Sequence, residues 1–189
     1  MRLGQFVKLI KSDGYRYIGR TDFRSLFLRY CKTPGYNYSF KMRFAKFCKS
    51  NTCWKFMFPI AYIRYRRAMI RYGIVIPYTT NIGPGFYIGH FGGIVINSNV
   101  VIGSNVNISH GITIGQGGDD GNKGCPTLGD RVYVGPNSTI IGNVCIGSDS
   151  AIGANAFVNK NVDAGVTVAG IPAKQISSKG SSNYVHNLI

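Results

Sequence analysis

The sequence predicts a mainly β protein, built as a parallel β-helix behind a short basic α-helical region. From Leu128 onward, aliphatic residues recur every six positions and glycine often follows them. A fixed hexapeptide period is typical of a parallel β-helix, in which each three-sided coil buries its aliphatic residues against its neighbours. Residues 1–75 differ in composition, because they carry 17 Lys and Arg and only 2 acidic residues. The whole net charge of +15 therefore lies in front of the repeats.

The basic region, residues 1–73, is predicted to be helical because its apolar residues recur at helical spacing. Four helices are expected, over about 3–10, 23–30, 37–50 and 54–72. Thr21 and Asp22 are candidate caps for the second helix, and Gly73 is a natural end for the fourth. Pro59 either bends the fourth helix or marks its true start.

The repeat domain is predicted over 74–176, with two irregularities. The six-residue period lengthens to eight between Ile88 and Ile96, which indicates a two-residue insertion near 92–95. Residues 116–126 are polar and glycine-rich, and they predict a loop that leaves the coil. Loops that leave a regular scaffold often carry function. Residues 177–189 are predicted to be a flexible tail.

The cysteines and apolar runs favour a cytoplasmic protein. Five cysteines, an odd number without zinc-like spacing, are expected to be reduced thiols. The longest apolar run, residues 56–63, is much shorter than the ~20 residues that a membrane-spanning helix needs. No secretory signal pattern is visible.

Two histidines of the repeat domain occupy equivalent places. His90 and His110 are each the third residue of a hexapeptide, one coil plus the two-residue insertion apart. Since adjacent strands lie ~4.8 Å apart, the two rings are expected to be near neighbours on one edge. Imidazole suits a general base because it titrates near neutral pH. Two alternatives remain: turn residues bonded to the backbone, and a metal site with Cys125 as third ligand.

The repeat, the segment 88–96 (IGHFGGIVI), the polar loop and the closing segment 169–174 (AGIPAK) together resemble the hexapeptide-repeat acyltransferases. Within them, residues 74–176 are most similar to the serine acetyltransferase branch. The resemblance implies a left-handed coil, an exception to the usual crossover hand. It also implies a homotrimer that binds acetyl-CoA as cosubstrate between subunits, with no metal. His90 is the implied catalytic base for direct transfer, with His110 as a neighbour that tunes or orients it.

The resemblance also implies where coenzyme A binds. Its pantetheine arm is expected to pass Pro136 and Ala154 along one edge of the coil. Asn159, Lys160 and Lys174 correspond to positions that contact the nucleotide end. Lysine suits this role as a mobile positive charge for phosphate.

Three departures from the serine acetyltransferases bear on the acceptor. An Asp precedes their base, whereas Gly89 stands here. Their second Asp, one coil earlier, has no acidic counterpart in 73–77, and their second loop histidine is replaced by Cys125. An amino acid needs charged anchors, and the expected ones are missing. The segments 90–97 (HFGGIVIN), 109–115 (SHGITIG) and 125–126 (CP) look more like sugar O-acetyltransferases of surface-polysaccharide synthesis, including the colanic acid type. This resemblance implies a sugar hydroxyl of a bacterial surface polysaccharide or its precursor as the acceptor. The residues expected to contact it are Asn107, Asp119, Asp120 and Cys125. The alternatives are serine O-acetylation for cysteine biosynthesis and a non-catalytic trimeric scaffold.

Two roles are considered for the basic region, residues 1–73. It is either a helical cap on the end of the β-helix or a surface that contacts an anionic membrane, at the inner face of the cytoplasmic membrane, or an acidic glycan. Nucleic acid is not expected as a partner, because no helix-turn-helix, zinc-finger or RNA-binding motif accompanies the charge.

Overall fold

The computed structural model describes residues 1–118 and 123–189. Helices come first and strands follow. The helices are α1 (Leu3–Ile18), α2 (Phe23–Lys32), α3 (Pro34–Ser50) and α4 (Phe58–Tyr72), with a 3-10 turn over Thr52–Met57 before α4. The strands are β1 (Ile74–Val75), β2 (Asn81–Ile82), β3 (Tyr87–Ile88), β4 (Ile94–Ile96), β5 (Val101–Ile102), β6 (Asn107–Ile108), β7 (Thr113–Gly115), β8 (Thr127–Leu128), β9 (Tyr133–Val134), β10 (Thr139–Ile141), β11 (Cys145–Ile146), β12 (Ala151–Ile152), β13 (Phe157–Val158), β14 (Thr167–Gly170) and β15 (Ala173–Ser177).

The helix ends follow from proline and glycine. Pro34 and Pro59 stand in the first turns of α3 and α4, where a missing N–H costs little. Pro59 therefore marks the start of α4 and does not bend it. Gly19 and Gly73 end α1 and α4 in the left-handed conformation, which glycine adopts without strain. The helices fill most of residues 3–72, so the prediction of a mainly β chain understates the helical part.

Strands β1 to β14 form a parallel β-helix with three faces in the described residues, and β15 pairs with β14 in the antiparallel direction. The first sheet has the order β1-β4-β7-β10-β13, the second β2-β5-β8-β11, and the third β3-β6-β9-β12-β14-β15. Aliphatic residues stack in register, as Ile96, Ile114 and Ile140 do in the first sheet. The buried aliphatic residues of successive coils form one continuous core. The hexapeptide prediction of a parallel β-helix is confirmed.

Truncation of one core residue measures this stacking. Ile114 is only 1% exposed between two neighbouring coils. We expect Ile114→Ala to lower the free energy of unfolding by about 2–5 kcal/mol, because it leaves a cavity in a stack that relaxes little. Urea denaturation at one fixed protein concentration is the measurement. Thr113→Ala, at an exposed position on the same strand, is the matched control and should change it by less than about 0.5 kcal/mol.

Side chains of the helices close the open end of the first coil. The Tyr38 hydroxyl donates to the Ile76 carbonyl (2.8 Å) and accepts from the Ile76 N–H (3.1 Å). The Arg43 guanidinium donates to the Gly83 carbonyl (2.7 Å). Unpaired backbone groups at a sheet edge favour aggregation and are costly when buried. The helical region thus covers an edge that the repeat alone leaves open.

A buried ion pair holds this cap together. Arg43 Nε lies 2.6 Å from Asp13 Oδ2, and the side chains are 5% and 0% exposed. The same carboxylate accepts from the Phe86 N–H (3.0 Å) and from the Ser39 hydroxyl (2.7 Å). One buried carboxylate therefore joins α1, α3 and the first coil.

The last residues lie against the third sheet, unlike the flexible tail expected from their composition. The Tyr184 ring stacks on Tyr133 with centroids 4.2 Å apart and planes at 11°. The Asn107 amide donates to the Tyr184 carbonyl (2.8 Å), and Arg16 Nε donates to the His186 carbonyl (2.8 Å). These partners are distant in sequence, so composition alone does not reveal them. In the described part of the chain, none of the helices combines the length and apolarity needed to cross a membrane.

Candidate active site

The two histidines of the repeat domain lie on one edge of the β-helix. His90 follows β3 and His110 follows β6, and these strands pair in register with Ile88 opposite Ile108. The ring centroids are 5.9 Å apart, with the planes at 84°. Both residues are exposed. Within the described residues, no group of three His, Cys, Asp or Glu side chains is arranged to hold a metal ion. The geometry leaves an accessible imidazole pair at the edge between the third and first sheets.

The two-residue insertion lies in the turn after His90. Gly92 and Gly93 have positive φ angles of 105° and 64°. The Gly111 N–H donates to the Gly92 carbonyl (2.9 Å), and a Cβ on Gly93 would lie 3.2 Å from the Gly111 Cα. Glycine suits both the conformation and the close approach. The corner after His90 therefore rests on the corner after His110, which keeps the imidazoles on one edge.

Helix α1 positions the strand that carries His90. The Tyr17 hydroxyl donates to the Ile88 carbonyl (3.2 Å) and accepts from the Ile88 N–H (3.0 Å). Burial raises the pKa of the Tyr17 phenol well above its usual range, so it stays protonated and able to donate. Tyr17 was not among the sequence candidates, because its partner is 71 residues away.

Two further sequence candidates lie on the histidine edge. The Asn137 N–H donates to the His110 carbonyl (3.0 Å), so Pro136 stacks next to His110. The Asn155 N–H donates to the Pro136 carbonyl (2.9 Å), which places Ala154 one coil further. With ~4.8 Å per coil, the edge extends about 15 Å from His90 to Ala154.

The candidates for the nucleotide end lie at the far end of the β-helix. Asn159 and Lys160 line a cleft of about 170 Å³ together with Ala173 and Gln175. Lys174 lies between these last two residues on β15 and is exposed. The structure thus brings the three nucleotide-end candidates to one end of the coil.

The acceptor candidates are not brought together. Asn107 is buried, and its amide group bonds Arg16 and the Tyr184 carbonyl, so it is occupied within the fold and does not face a substrate. Cys125 follows the loop between β7 and β8, at the edge between the first and second sheets, away from the histidine edge of the same chain. Asp119 and Asp120 lie outside the described residues.

The Cys125 thiol is a poor nucleophile on physical grounds. It is half-buried against the core, and burial raises its pKa above the ordinary cysteine value. A raised pKa lowers the thiolate fraction at neutral pH, and only the thiolate reacts. We expect iodoacetamide to modify Cys125 more slowly than the exposed Cys145, with a rate that rises as pH increases above 9. Peptide mass spectrometry over time measures both rates, and equal rates at pH 7.5 would contradict this account.

Comparison with known proteins shows which families the chain is similar to. Residues 125–160 match the family model described as "Bacterial transferase hexapeptide (six repeats)". This part of the repeat domain is similar to bacterial hexapeptide-repeat transferases. The chain is 43% identical over 105 residues to a serine acetyltransferase of Helicobacter pylori, a match that covers 56% of this chain and 61% of that protein. It is 42% identical over 101 residues to the serine acetyltransferase of Mycobacterium tuberculosis, covering 53% of this chain and 44% of that one.

Solved structures extend the likeness to the helices. Serine acetyltransferase of Neisseria gonorrhoeae superposes with a TM-score of 0.77 at 28% identity, covering 93% of this chain and 66% of the other. The same enzyme in complex with serine gives a TM-score of 0.75 at 27% identity, covering 93% and 70%. Serine acetyltransferase of Brucella abortus shares the fold at 24% identity, with a TM-score of 0.74 over 95% of this chain and 71% of the other. The chain spans 61% or less of the two curated relatives.

These relatives correct one prediction. The expected sugar hydroxyl acceptor of a surface polysaccharide is wrong, because the relatives at 42–43% identity are serine acetyltransferases. The prediction used the missing acidic residues near Gly89 as its reason. The absence of acidic residues at these positions means that a serine substrate would not be held by the same side chains as in the family. It does not indicate that the acceptor is a sugar. The resemblance to the serine acetyltransferase branch is confirmed.

Proposed function

We propose that this protein is an acetyl-CoA-dependent serine O-acetyltransferase with His90 as the general base. One observation carries the proposal. The exposed His90–His110 pair, with ring centroids 5.9 Å apart, lies on the edge of the β-helix in a chain that is 43% identical over 105 residues to a serine acetyltransferase. The non-catalytic scaffold has no comparable support from the geometry.

The reaction follows from the chemistry of imidazole. The neutral imidazole of His90 accepts the proton of the serine hydroxyl while its oxygen attacks the thioester carbonyl. The tetrahedral intermediate collapses, the C–S bond breaks, and the imidazolium returns the proton to the leaving thiolate. The products are O-acetylserine and free coenzyme A. His110 contributes by holding the neighbouring ring edge-on, which limits the rotation of His90.

Acetyl-CoA is proposed to lie along the histidine edge. The thioester sits at His90, the pantetheine arm passes Pro136 and Ala154, and the nucleotide end reaches Asn159, Lys160 and Lys174. This path is supported by the stacking of four corners on one edge and by the cleft at the far end. We also propose a left-handed coil and a homotrimer in which a neighbouring subunit closes the cleft. The domains are proposed as 1–73, 74–176 and 177–189.

The anchors for serine differ from the family pattern. A Cβ at Gly89 would lie 3.3 Å from the Tyr87 ring, so a side chain at this position would require a small shift of that ring. Tyr87 in turn packs on Tyr17 with centroids 4.3 Å apart. The ammonium and carboxylate of serine still need polar partners. We infer that these partners do not come from the His90 corner of the same chain. The loop of residues 116–126 or the neighbouring subunit supplies them, and the candidates are Cys125, Asp119 and Asp120.

Release of thiol from acetyl-CoA tests the proposal. Purified protein is assayed with L-serine, and with L-alanine and D-serine as matched controls for the hydroxyl group and the configuration. We expect turnover with L-serine at least about 100-fold above L-alanine, since a site built for a hydroxyl discriminates strongly against its absence. Equal release with L-serine and L-alanine would reveal simple hydrolysis. No release with any acceptor would support the scaffold instead.

A further inference from the structure

Helix α2 carries an unusual amount of uncovered apolar surface. All of its residues are exposed or half-buried, and Phe23, Phe27 and Leu28 are 82%, 56% and 53% exposed. The Phe23 and Phe27 rings are stacked with centroids 6.2 Å apart. Together with α1 and α3 they border an open apolar groove of about 620 Å³. Exposed aromatic rings at the mouth of an apolar groove mark an interaction surface.

The same surface continues onto α4. A second groove, of about 230 Å³, shares Tyr30 and Phe40 with the first and extends to Ile60 and Arg64. The Arg64 guanidinium donates to the Tyr30 hydroxyl (3.4 Å). Ile60 is 55% exposed. We call the surface formed by Phe23, Phe27, Tyr30, Phe40 and Ile60 the aromatic face.

Cations lie on the side of α2 opposite to the aromatic face. On the other side of α2, Arg20, Arg29 and Lys32 line an open pocket of about 430 Å³ with Ser25. Such a pocket has the size and charge to hold a phosphate group. One short helix thus presents an apolar side and a cationic side, the pattern of a helix that lies in a membrane interface.

The charges of residues 1–75, all of which the structure describes, narrow the choice of partner. The Asp13 carboxylate is buried in the ion pair with Arg43, and Asp22 caps α2 by accepting from the Ser25 N–H (3.0 Å). Asp22 is therefore the one exposed carboxylate of residues 1–75, a segment that carries 17 Lys and Arg. A second copy of the chain would bring like charges together, which opposes association. A nucleic acid would match the cations but leave the Phe23 and Phe27 rings in water.

We propose that the aromatic face and the cations on the opposite side of α2 bind an anionic phospholipid bilayer. Phe23 and Phe27 enter the boundary between head groups and acyl chains, while Arg20, Arg29 and Lys32 bind lipid phosphates. A bilayer supplies both the negative charge and the apolar layer that this surface matches. The proposal does not depend on the acetyl acceptor, and it leaves the histidine edge at the other domain free.

Vesicle co-sedimentation of the full chain tests the proposal. At physiological ionic strength, we expect binding to vesicles of phosphatidylglycerol and phosphatidylcholine, and much weaker binding to phosphatidylcholine alone. Phe23→Ser/Phe27→Ser should weaken binding at least about tenfold, because each ring loses its burial. Arg29→Gln/Lys32→Gln should also weaken it about tenfold or more. These side chains are exposed, so circular dichroism and thermal unfolding should match the unmodified protein.

Two matched control variants replace the same number of exposed cationic or apolar side chains outside the aromatic face. Lys123→Gln/Lys179→Gln deletes two exposed cations outside the helical region, and Ile171→Ser/Ile176→Ser deletes two exposed aliphatics (78% and 67%). Both controls should bind like the unmodified protein. The proposal is overturned by equal binding to neutral vesicles, by absent binding, or by equal losses in the controls. Tight binding of a DNA duplex, unchanged by Phe23→Ser/Phe27→Ser and without vesicle binding, would assign the surface to nucleic acid instead.

Discussion

His90→Ala should lower kcat/KM for acetyl transfer from acetyl-CoA by about 10²–10⁴-fold, the usual contribution of a positioned general base. The side chain is exposed at a corner of the β-helix and outside its aliphatic core, so the thermal unfolding midpoint should change little. Initial rates of thiol release with L-serine give the kinetic effect, and circular dichroism at the same protein concentration gives the stability.

His186→Ala is the matched control for this prediction. His186 is the third histidine of the chain, its side chain is exposed, and its backbone carbonyl accepts from Arg16. Its replacement removes one imidazole without touching the histidine edge, so the rate should stay within about twofold of the original. An unchanged rate in His90→Ala would remove His90 from the role of base. Equal losses in both variants would point to a general structural effect.

Arg43→Ala should lower the free energy of unfolding by about 3–5 kcal/mol, because it leaves the buried Asp13 carboxylate without its partner. The same change removes the guanidinium bond to the Gly83 carbonyl (2.7 Å), which reopens the edge of the first coil. Urea denaturation at fixed protein concentration measures the change. Loss of this cap is expected to expose the strand edge and promote aggregation.

The exposed ion pair of the β-helix provides the comparison. Arg131 Nε lies 2.6 Å from Asp149 Oδ1, with the side chains 37% and 51% exposed. Arg131→Ala should cost less than about 1 kcal/mol, because solvent screens an exposed pair. Asp13→Ala/Arg43→Ala should cost less than the sum of its two single changes, since they share one interaction. A loss below about 1 kcal/mol in Arg43→Ala would contradict the role of the buried pair.

The predictable parts of this molecule are those encoded locally. The six-residue period specifies which aliphatic residues face inward, so the parallel β-helix follows from the sequence. The same period places His90 and His110 on one edge, once the two-residue insertion is recognised. The register of Ile88 with Ile108 and the ring separation of 5.9 Å match this expectation.

Contacts between segments that are distant along the chain could not be predicted from the sequence. The bond between Tyr17 and Ile88 joins residues 71 positions apart, and periodicity carries no sign of it. Asn107 looked like a polar loop group, yet the structure buries it between Arg16 and Tyr184. The packing of the last residues on Tyr133 was missed for the same reason. The wrong prediction of the acceptor has another cause, because the absence of charged residues near Gly89 does not by itself specify a different substrate.

The identity of the acetylated product tests directly whether this protein is a serine O-acetyltransferase. The protein is incubated with acetyl-CoA and L-serine, and the mixture is followed by proton NMR and mass spectrometry. We expect O-acetyl-L-serine and free coenzyme A in equal amounts, with both falling at least about 100-fold in His90→Ala. Free coenzyme A with acetate in place of O-acetylserine, or O-acetylserine formed equally well by His90→Ala, would contradict this expectation.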